Sequence, residues 1–258
     1  MKSIFPLTLA AVVSTLLISS SPLRAASTDS RIESSAAKSY VFKTYLKDDS
    51  IKTDSQNGMV TLTGTVADAS HKSLAENTVA SLPGVKGVDN QLVVSGDQPA
   101  EHSDAWITMK VKTALLFHRN VSGTGTSVYT DNGVVTLQGV ASSQAQKELT
   151  AEYAKDIDNV RSVKNNMTIA ATGATPDATV GDKIDDASIT AEVKSSLLSH
   201  RSTSALHTGV STTDGVVTLT GAAKNEAEKS LITKLATDIN GVTSVVNNMT
   251  VIVAMSEN

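Results

Sequence analysis

Apolar side chains recur at helical spacing near the middle of the chain: Ile107, Val111, Ala114 and Leu115. Residues three or four positions apart share one side of a helix, so this pattern predicts an amphipathic helix with one buried face. Ser103 and Asp104 stand just before it, and either side chain can accept hydrogen bonds from the first free amides. We therefore expect the helix to begin beside these two residues.

The pattern then changes from helical to alternating. Residues 127–130 and 134–138 flank an Asp-Asn-Gly sequence at 131–133, and Asn-Gly supplies the positive φ angles that a tight hairpin turn requires. Val135 and Leu137 point to the same side of the second strand, with threonine between them on the other. This alternation predicts a sheet with one packed face.

A second helix and a last strand follow the hairpin. We expect Gly139 to end the hairpin, where the backbone passes close to a neighbouring segment. Apolar residues then return to helical spacing: Leu149, Tyr153, Ala154 and Ile157. A turn leads to a final strand over residues 163–169. The order α-β-β-α-β predicts a three-stranded sheet with both helices packed on one face.

The same pattern occurs three times along the chain. Residues 58–64 read Gly-Met-Val-Thr-Leu-Thr-Gly, residues 133–139 read Gly-Val-Val-Thr-Leu-Gln-Gly, and residues 215–221 read Gly-Val-Val-Thr-Leu-Thr-Gly. The last strand of each copy holds an asparagine at the same offsets of 75 and 82 residues: Asn90, Asn165 and Asn247. Two separate motifs that share their offsets indicate duplicated units.

The predicted fold class is therefore α+β, with three tandem α-β-β-α-β units over residues 29–95, 103–170 and 185–253. Each unit is expected to close its own two-layer core. The linker over 171–186 is longer than the first one, so the third unit is expected to be the freer one. The first helix of the first unit lacks a firm apolar stripe, and we expect it to be the least stable.

Residues 1–26 have the order of a secretory signal peptide. Lys2 gives a charged start, an apolar segment follows, and small residues end it. Pro6 and several hydroxyl side chains interrupt the apolar run, whereas a membrane-spanning helix needs about 20 mostly apolar residues. We expect cleavage after Ala25 or Ala26 and export to the periplasm, with a retained anchor as the alternative.

Composition excludes several kinds of chemistry. The chain has no cysteine, so it has no disulfide, zinc-thiolate site, thiol nucleophile or lipid-modified cysteine. Its five histidines lack metal-ligand spacing, and no phosphate loop, nucleophile elbow or Ser/His/Asp grouping occurs. The sequence therefore predicts no catalytic residues, metal or cofactor, and a protein that is not an enzyme.

The charge balance also bears on possible partners. The net charge of −4 becomes −6 when Lys2 and Arg24 leave with the signal peptide. A mildly acidic chain is not typical of nucleic-acid binding, which favours a concentrated basic surface. Electrostatic attraction alone would also attach it poorly to an anionic membrane.

The order of elements and two motifs resemble the BON domain, a small bacterial domain. Residues 214–221 read Asp-Gly-Val-Val-Thr-Leu-Thr-Gly, like its hairpin strand, and residues 241–247 read Gly-Val-Thr-Ser-Val-Val-Asn, like the approach to its last strand. With its signal peptide, the chain looks like osmotically inducible periplasmic proteins, many of which carry two copies. The resemblance implies binding of phospholipid or membranes in the envelope, envelope integrity under osmotic stress, and chaperone-like roles.

The candidate lipid- or partner-binding residues lie on or just after the first helix of the second unit: Trp106, Met109, Lys110, Phe117, His118 and Arg119. Trp106 is the only tryptophan and precedes the buried Ile107, so it stands at the edge of the helix. Tryptophan prefers the boundary between membrane and water. The alternative is that Trp106 packs against an adjacent unit or a linker.

Two other recurrent features have a structural and a functional interpretation. His118-Arg119 and His200-Arg201 end the first helix in two units, where cations can contact a phosphate or complement the helix dipole. We favour the dipole. The asparagine of the last strand can contact a ligand or fasten a nearby loop, and its presence in all three copies favours the loop.

The leading hypothesis is a non-enzymatic periplasmic protein of the envelope and osmotic stress response, whose units bind anionic phospholipid peripherally. The alternative is a soluble chaperone, or a module that binds envelope proteins without lipid contact. No nucleic-acid partner is expected.

Overall fold

The computed structural model describes residues 22–252, apart from residues 97, 122, 124, 171–183 and 204 and the side chains of residues 22–26. Most of the predicted signal peptide (1–26) and most of the second linker (171–186) therefore lie outside the described residues. None of the helices in the part of the chain that is described is long and apolar enough to cross a membrane.

The elements follow the same order in each unit, with one additional short helix in the first and a 3₁₀ helix in the third. The first unit comprises α1 (Pro22–Lys38), α2 (Tyr40–Thr44), β1 (Ser50–Gln56), β2 (Met59–Val66), α3 (Ala69–Ala80), β3 (Gly87–Asn90) and β4 (Val93–Val94). The second comprises α4 (Asp104–Phe117), β5 (Thr126–Asp131), β6 (Val134–Ala141), α5 (Gln144–Lys155), β7 (Ser162–Asn165) and β8 (Thr168–Ile169). The third comprises α6 (Asp186–Ser199), a 3₁₀ helix (Ala205–His207), β9 (Thr208–Thr213), β10 (Val216–Ala223), α7 (Glu226–Thr237), β11 (Ser244–Asn247) and β12 (Thr250–Val251).

Each unit contains one mixed sheet, which confirms the predicted α+β class of three tandem units. The middle strand pairs antiparallel with the first strand of its hairpin and parallel with the last strand, as β6 does with β5 and β7. The predicted continuous last strand is wrong in detail, because it consists of two short segments that both pair with the middle strand.

The recurrent asparagine explains this interruption. In the second unit, the Asn165 side chain donates to Lys147 O at 2.6 Å and accepts from the Met167 N–H at 3.2 Å. Asn90 and Asn247 make the equivalent bonds in the other units. The side chain therefore fastens the bulge of the last strand to the second helix, which confirms its predicted structural role.

The hairpin turns have the predicted geometry. Asn132 and Gly133 both have positive φ angles, of 49° and 76°, as a two-residue hairpin turn of this twist requires. Asp104, which was a candidate N-cap, instead accepts from the N–H groups of both turn residues at 2.7 and 2.8 Å. Ser103 is the residue that caps α4, through a 3.2 Å bond from Trp106 N.

An aspartate equivalent to Asp104 occurs in the other two units. Asp29 contacts the turn amides of the first unit and Asp186 those of the third, at 2.8–2.9 Å. The Gly58 amide and the Ser55 hydroxyl hold the pKa of Asp29 below its usual value. In every unit one carboxylate thus ties the first helix to the hairpin; it stands at the start of α4 and of α6, and within α1 in the first unit.

Gly139 lies within β6 and does not end it, so the predicted strand end is wrong while the predicted close approach is confirmed. A β-carbon at Gly139, where φ is 140°, would stand 2.3 Å from Gly125 O. The corresponding Gly64 approaches Ser50 O at the start of β1, and Gly221 approaches His207 O immediately before β9. These positions need glycine because the paired backbone leaves no space for a side chain.

The units share more packing than the sequence predicts. The second unit has a core of its own, whereas buried residues of the first and third units form one continuous apolar cluster that includes Leu62 and Leu219. The prediction of three separate cores is therefore wrong for the outer units, although each keeps its own sheet.

The expectation that the third unit is the freer one is also wrong. Helix α6 is buried along nearly its whole length, against its own sheet, α3 of the first unit and α4 of the second. Backbone amides of α2 add to this contact, because Tyr40 N donates to Asp185 at 2.8 Å and Val41 N donates to Ser188 at 3.1 Å. The third unit therefore occupies the centre of the assembly.

Candidate interaction surface and unit interface

The six candidate residues separate into two groups. Trp106, Met109 and Lys110 lie half-buried on one side of α4, and part of each side chain reaches the surface. The Lys110 ammonium stands 5.3 Å from the centre of the Trp106 ring, and the His102 ring contacts the same tryptophan edge-on at 5.3 Å. A cation and an aromatic ring therefore share one exposed face of α4, and the inner side of the tryptophan packs on the core of the second unit.

Phe117, His118 and Arg119 lie at the other end of the helix, in the interface between units. Phe117 is 1% and His118 is 2% exposed, so neither can contact a lipid surface while the units are assembled. The Phe117 ring packs edge-on against Tyr45 of the first unit at 5.3 Å. The structure therefore does not bring these three residues to the surface that carries Trp106.

The backbone contacts of this interface are reciprocal between the second and third units. The Arg119 N–H donates to Asp238 O at 2.9 Å, and the Arg201 N–H donates to Asp156 O at 3.0 Å. His118 pairs with Ile239, and His200 pairs with Ile157, as isolated antiparallel bridges. Each unit offers the other the same two segments, as in an interface about a twofold axis.

The two arginines complete the reciprocal arrangement. Arg119 donates to the Thr237 carbonyl at the end of α7, and to Val242 O at 2.9 Å. Arg201 donates to Lys155 O at the end of α5, at 3.0 Å. The prediction that these cations complement the dipole of the helix that they end is therefore wrong, because each arginine bonds to the carboxyl end of the second helix of the neighbouring unit. No phosphate is needed to explain the His-Arg pairs.

A cluster of aromatic and acidic side chains fills the centre of this interface. The His118 ring stacks on Tyr153 at 4.1 Å and lies 5.9 Å from the His200 ring. Tyr153 donates to Asp238 at 2.5 Å, and His200 Nδ1 lies 3.0 Å from Asp156. His118 contacts Ser196 through Nε2 at 3.1 Å, while its Nδ1 lies 3.3 Å from Asp238 at an angle unsuited to a hydrogen bond.

Burial controls the protonation of this cluster. It lowers the pKa of His118, an effect that Asp238 opposes and the neighbouring His200 reinforces. It raises the pKa of Tyr153, together with the hydrogen bond to Asp238. Burial alone would raise the pKa of Asp156, but bonds from His200 and Ser202 keep it below its usual value. Burial in the interface therefore disfavours the protonated form of His118.

A second buried titratable group lies where the first unit meets the third. Glu192 on α6 is fully buried, and neither of its carboxyl oxygens has a hydrogen-bond partner. Burial, and next the charge of Asp185, raise the pKa of Glu192 well above its usual value. Burial raises the pKa of Tyr45, and the nearby Glu192 adds to that effect. The position therefore favours a neutral carboxylic acid.

Sequence reasoning missed the acidic members of this interface, although a signal for them exists. Asp156 and Asp238 stand 82 residues apart, the same offset that separates His118 from His200. The first unit has Ser81 at the corresponding position. Joint recurrence of His-Arg and Asp in two of three copies would have indicated that these two units contact each other. Among the described residues, no cluster of three metal-ligating side chains occurs.

These features define a modular protein built from three repeated α+β units that assemble through their helices. A family model described as the BON domain matches residues 28–96, 103–171 and 185–252, so the chain belongs to the BON-domain family.

Three relatives cover parts of the chain. It is 37% identical over 146 residues to osmotically-inducible protein Y of Escherichia coli (strain K12), which covers 57% of this chain and 71% of that protein. It is 34% identical over 110 residues to a 21 kDa hemolysin of Actinobacillus pleuropneumoniae, covering 42% of this chain and 56% of that protein. It is 32% identical over 111 residues to the outer membrane lipoprotein DolP of Haemophilus influenzae, covering 42% of this chain and 57% of that protein.

Proposed function

We propose that this chain is a non-enzymatic protein of the bacterial envelope that is exported to the periplasm and contacts anionic phospholipid during osmotic stress. The names of two relatives, one osmotically inducible and one an outer membrane lipoprotein, support the setting. The signal-like sequence of residues 1–26 supports export. The contact is peripheral, made by the folded units at the membrane surface.

The observation that carries the proposal is the face of α4 with Trp106, Met109 and Lys110. The Lys110 ammonium stands over the Trp106 ring. The lysine can therefore contact a headgroup phosphate while the neighbouring tryptophan contacts the boundary of the acyl region. One lysine at a membrane surface contributes only about 1 kcal/mol, which predicts weak binding that needs insertion of the ring. Phe117, His118 and Arg119 have no part in this contact while the units are assembled.

Liposome flotation tests this proposal with vesicles of anionic phospholipid at low salt. Trp106→Ala should weaken association about tenfold, since burial of the exposed part of a large apolar side chain contributes on the order of 1–2 kcal/mol. Leu206→Ala is the matched control, because Leu206 is 88% exposed but lies on the third unit. Equal loss in both variants, or no association of the unchanged protein, contradicts the proposal.

The mildly acidic charge and the repeated units motivate the alternative of a chaperone or partner-binding protein without lipid contact. A protein that stays unbound in flotation, yet suppresses aggregation of an unfolded outer-membrane protein at molar excess, would support that alternative. The flotation and aggregation assays, performed on one preparation of the protein, therefore distinguish the two functions.

A further inference from the structure

We propose that the groove between α4 and the edge strand β5 binds an extended polypeptide segment, which joins the sheet of the second unit as a further strand. The groove has a volume of about 810 Å³. Thr108, Lys112 and Leu116 line it on one side and β5 lines it on the other. These helix residues differ from Trp106, Met109 and Lys110, so the inference concerns another face of α4 and does not depend on lipid binding.

The lining of the groove shows that the edge of the sheet faces it. Residues 126–130 all contribute, although successive side chains of a strand point to opposite faces. A groove lined by consecutive residues therefore runs along the backbone of the strand. Strand β5 is the outer strand in the order β5-β6-β7, and no strand among the described residues pairs with its far side.

The register identifies the backbone groups that point into the groove. Asp131 and Val134 flank the two-residue turn, which makes them a hydrogen-bonded pair. Pairs of this kind alternate along an antiparallel ladder, so Val128 and Thr130 direct their N–H and C=O groups away from β6. An extended segment can bond to these groups as sheet partners do.

The first unit confirms this geometry at one backbone position of its own sheet edge. Ser55 corresponds to Thr130, and its N–H donates outward to the Glu33 carboxylate at 2.9 Å. Thr108 stands where the first unit has Glu33, and its hydroxyl bonds to the Thr130 side chain at 2.8 Å instead of its backbone. The second unit therefore lacks the carboxylate that occupies this backbone position in the first.

Charge gives the segment a preferred composition. Lys112 is exposed along the groove, whereas the Asp104 carboxylate is engaged by the two amides of the hairpin turn. An acidic side chain or a carboxyl group beside Lys112 therefore complements the groove.

The test is an NMR titration of the full chain, without lipid, with the blocked peptide acetyl-Thr-Val-Glu-Val-Thr-Val-amide. The Val128 and Thr130 amides should shift and exchange more slowly with solvent. A peptide N-methylated at alternate residues keeps its side chains but loses backbone donors, and should bind at least about tenfold more weakly. No binding at millimolar peptide, or equal binding of the methylated peptide, would overturn the inference.

Two variants locate the binding. Thr108→Glu places a carboxylate where Glu33 closes the first unit, and should weaken binding about tenfold. Thr113→Glu makes the same chemical change on α4 away from the groove lining, and should leave binding unchanged. Shifts centred on Trp106, or equal weakening by both variants, would contradict the proposed location.

Discussion

At the scale of single residues, one carboxylate determines how the first helix meets the hairpin in every unit. Asp104 accepts from two turn amides, and these amides would otherwise need water as their partner. The turn residues themselves adopt positive φ angles, which only a few residue types tolerate. The turn sequence and the distant aspartate therefore act together to fix the register of the hairpin.

Asp104→Ala should lower the free energy of unfolding by about 1–2 kcal/mol, because two hydrogen bonds to a charged acceptor are lost. Urea denaturation followed by circular dichroism measures this change. Glu152→Ala is the control, since Glu152 is exposed and its ion pair with Lys155 spans 3.9 Å. A difference between the variants of less than a few tenths of a kcal/mol contradicts the role given to Asp104.

The turn was predictable from the sequence, whereas its aspartate was not. Asn-Gly and Asp-Gly have a backbone preference that holds in any fold, so the hairpins could be located directly. Asp104 follows Ser103 at a helix start, and both residue types cap helices equally well. Only the three-dimensional path of the chain shows that Asp104 faces the turn, although its constant spacing from the turn in three copies was a usable signal.

At the scale of elements, α4 and α6 occupy the same place in their units but have different surroundings. Helix α6 has the small buried residues Ser188 and Ala191 where α4 has the larger Trp106 and Met109. Small residues let a neighbouring helix approach closely, and α3 packs on α6. The composition of these faces explains why the first unit docks on the third.

We expect Glu192 to make the stability of the folded chain dependent on pH. The pKa of Glu192 is raised in the folded chain. At a pH between the ordinary glutamate pKa and this raised pKa, the folded chain therefore holds a proton that the unfolded chain has released. Stability should therefore fall as pH rises through that interval. Glu192→Gln cannot ionise and should show a smaller loss of the unfolding free energy between pH 5 and pH 8.

Glu152→Gln is the control for this measurement. Glu152 is exposed on α5, so its carboxylate keeps its contact with solvent when the chain folds. This variant should keep the pH dependence of the unchanged protein. If both variants or neither flatten the stability profile, Glu192 is not the group responsible.

The elements were predicted well, but their environments were not. The helical and alternating spacing of apolar residues predicted both helices and the hairpin of the second unit. It could do so because the residues that face a unit's own core recur with the period of the element that carries them. The sequence of α6 has the same periodicity, yet its polar face is buried against α3. Periodicity identifies the face toward a helix's own sheet and contains no information on contacts made by the opposite face.

At the scale of the whole molecule, the reciprocal interface joins the second and third units around His118. In the docked state, burial keeps its pKa below the ordinary value of 6.5, so separated units bind a proton more readily. Docking should weaken as pH falls below that ordinary value, and the effect should level off below the lowered pKa. Asp238 opposes this shift, while His200 adds to it.

Distance measurements between spin labels test this prediction. Because the chain has no cysteine, Ser127→Cys and Ser211→Cys introduce the sole thiols, on exposed strands of the two units. The single narrow distance distribution expected at pH 7.5 should broaden toward longer distances at pH 5, while far-ultraviolet circular dichroism stays unchanged. His118→Gln should remove this pH dependence, and His71→Gln, within the first unit, should retain it.

The arrangement of the units could not be read from the sequence. The interface depends on His118, Tyr153 and Asp238, which are far apart along the chain. The longer second linker predicted that the third unit moves more freely than the others. This prediction was wrong, because the contacts of α6 hold the third unit in place despite the additional linker residues. The candidate surface on α4 was predictable in part, since Trp106 and Lys110 share one face while Phe117 belongs to the interface.

The reciprocity of the interface has a consequence for its origin. A single unit that carries both halves, a His-Arg segment and an aspartate after its second helix, is complementary to itself, so two identical chains could pair as a homodimer. Gene duplication and fusion would convert such a dimer into an intramolecular pair whose association no longer depends on protein concentration. The first unit has Lys43-Thr44 and Ser81 at these positions and would be unable to replace either partner.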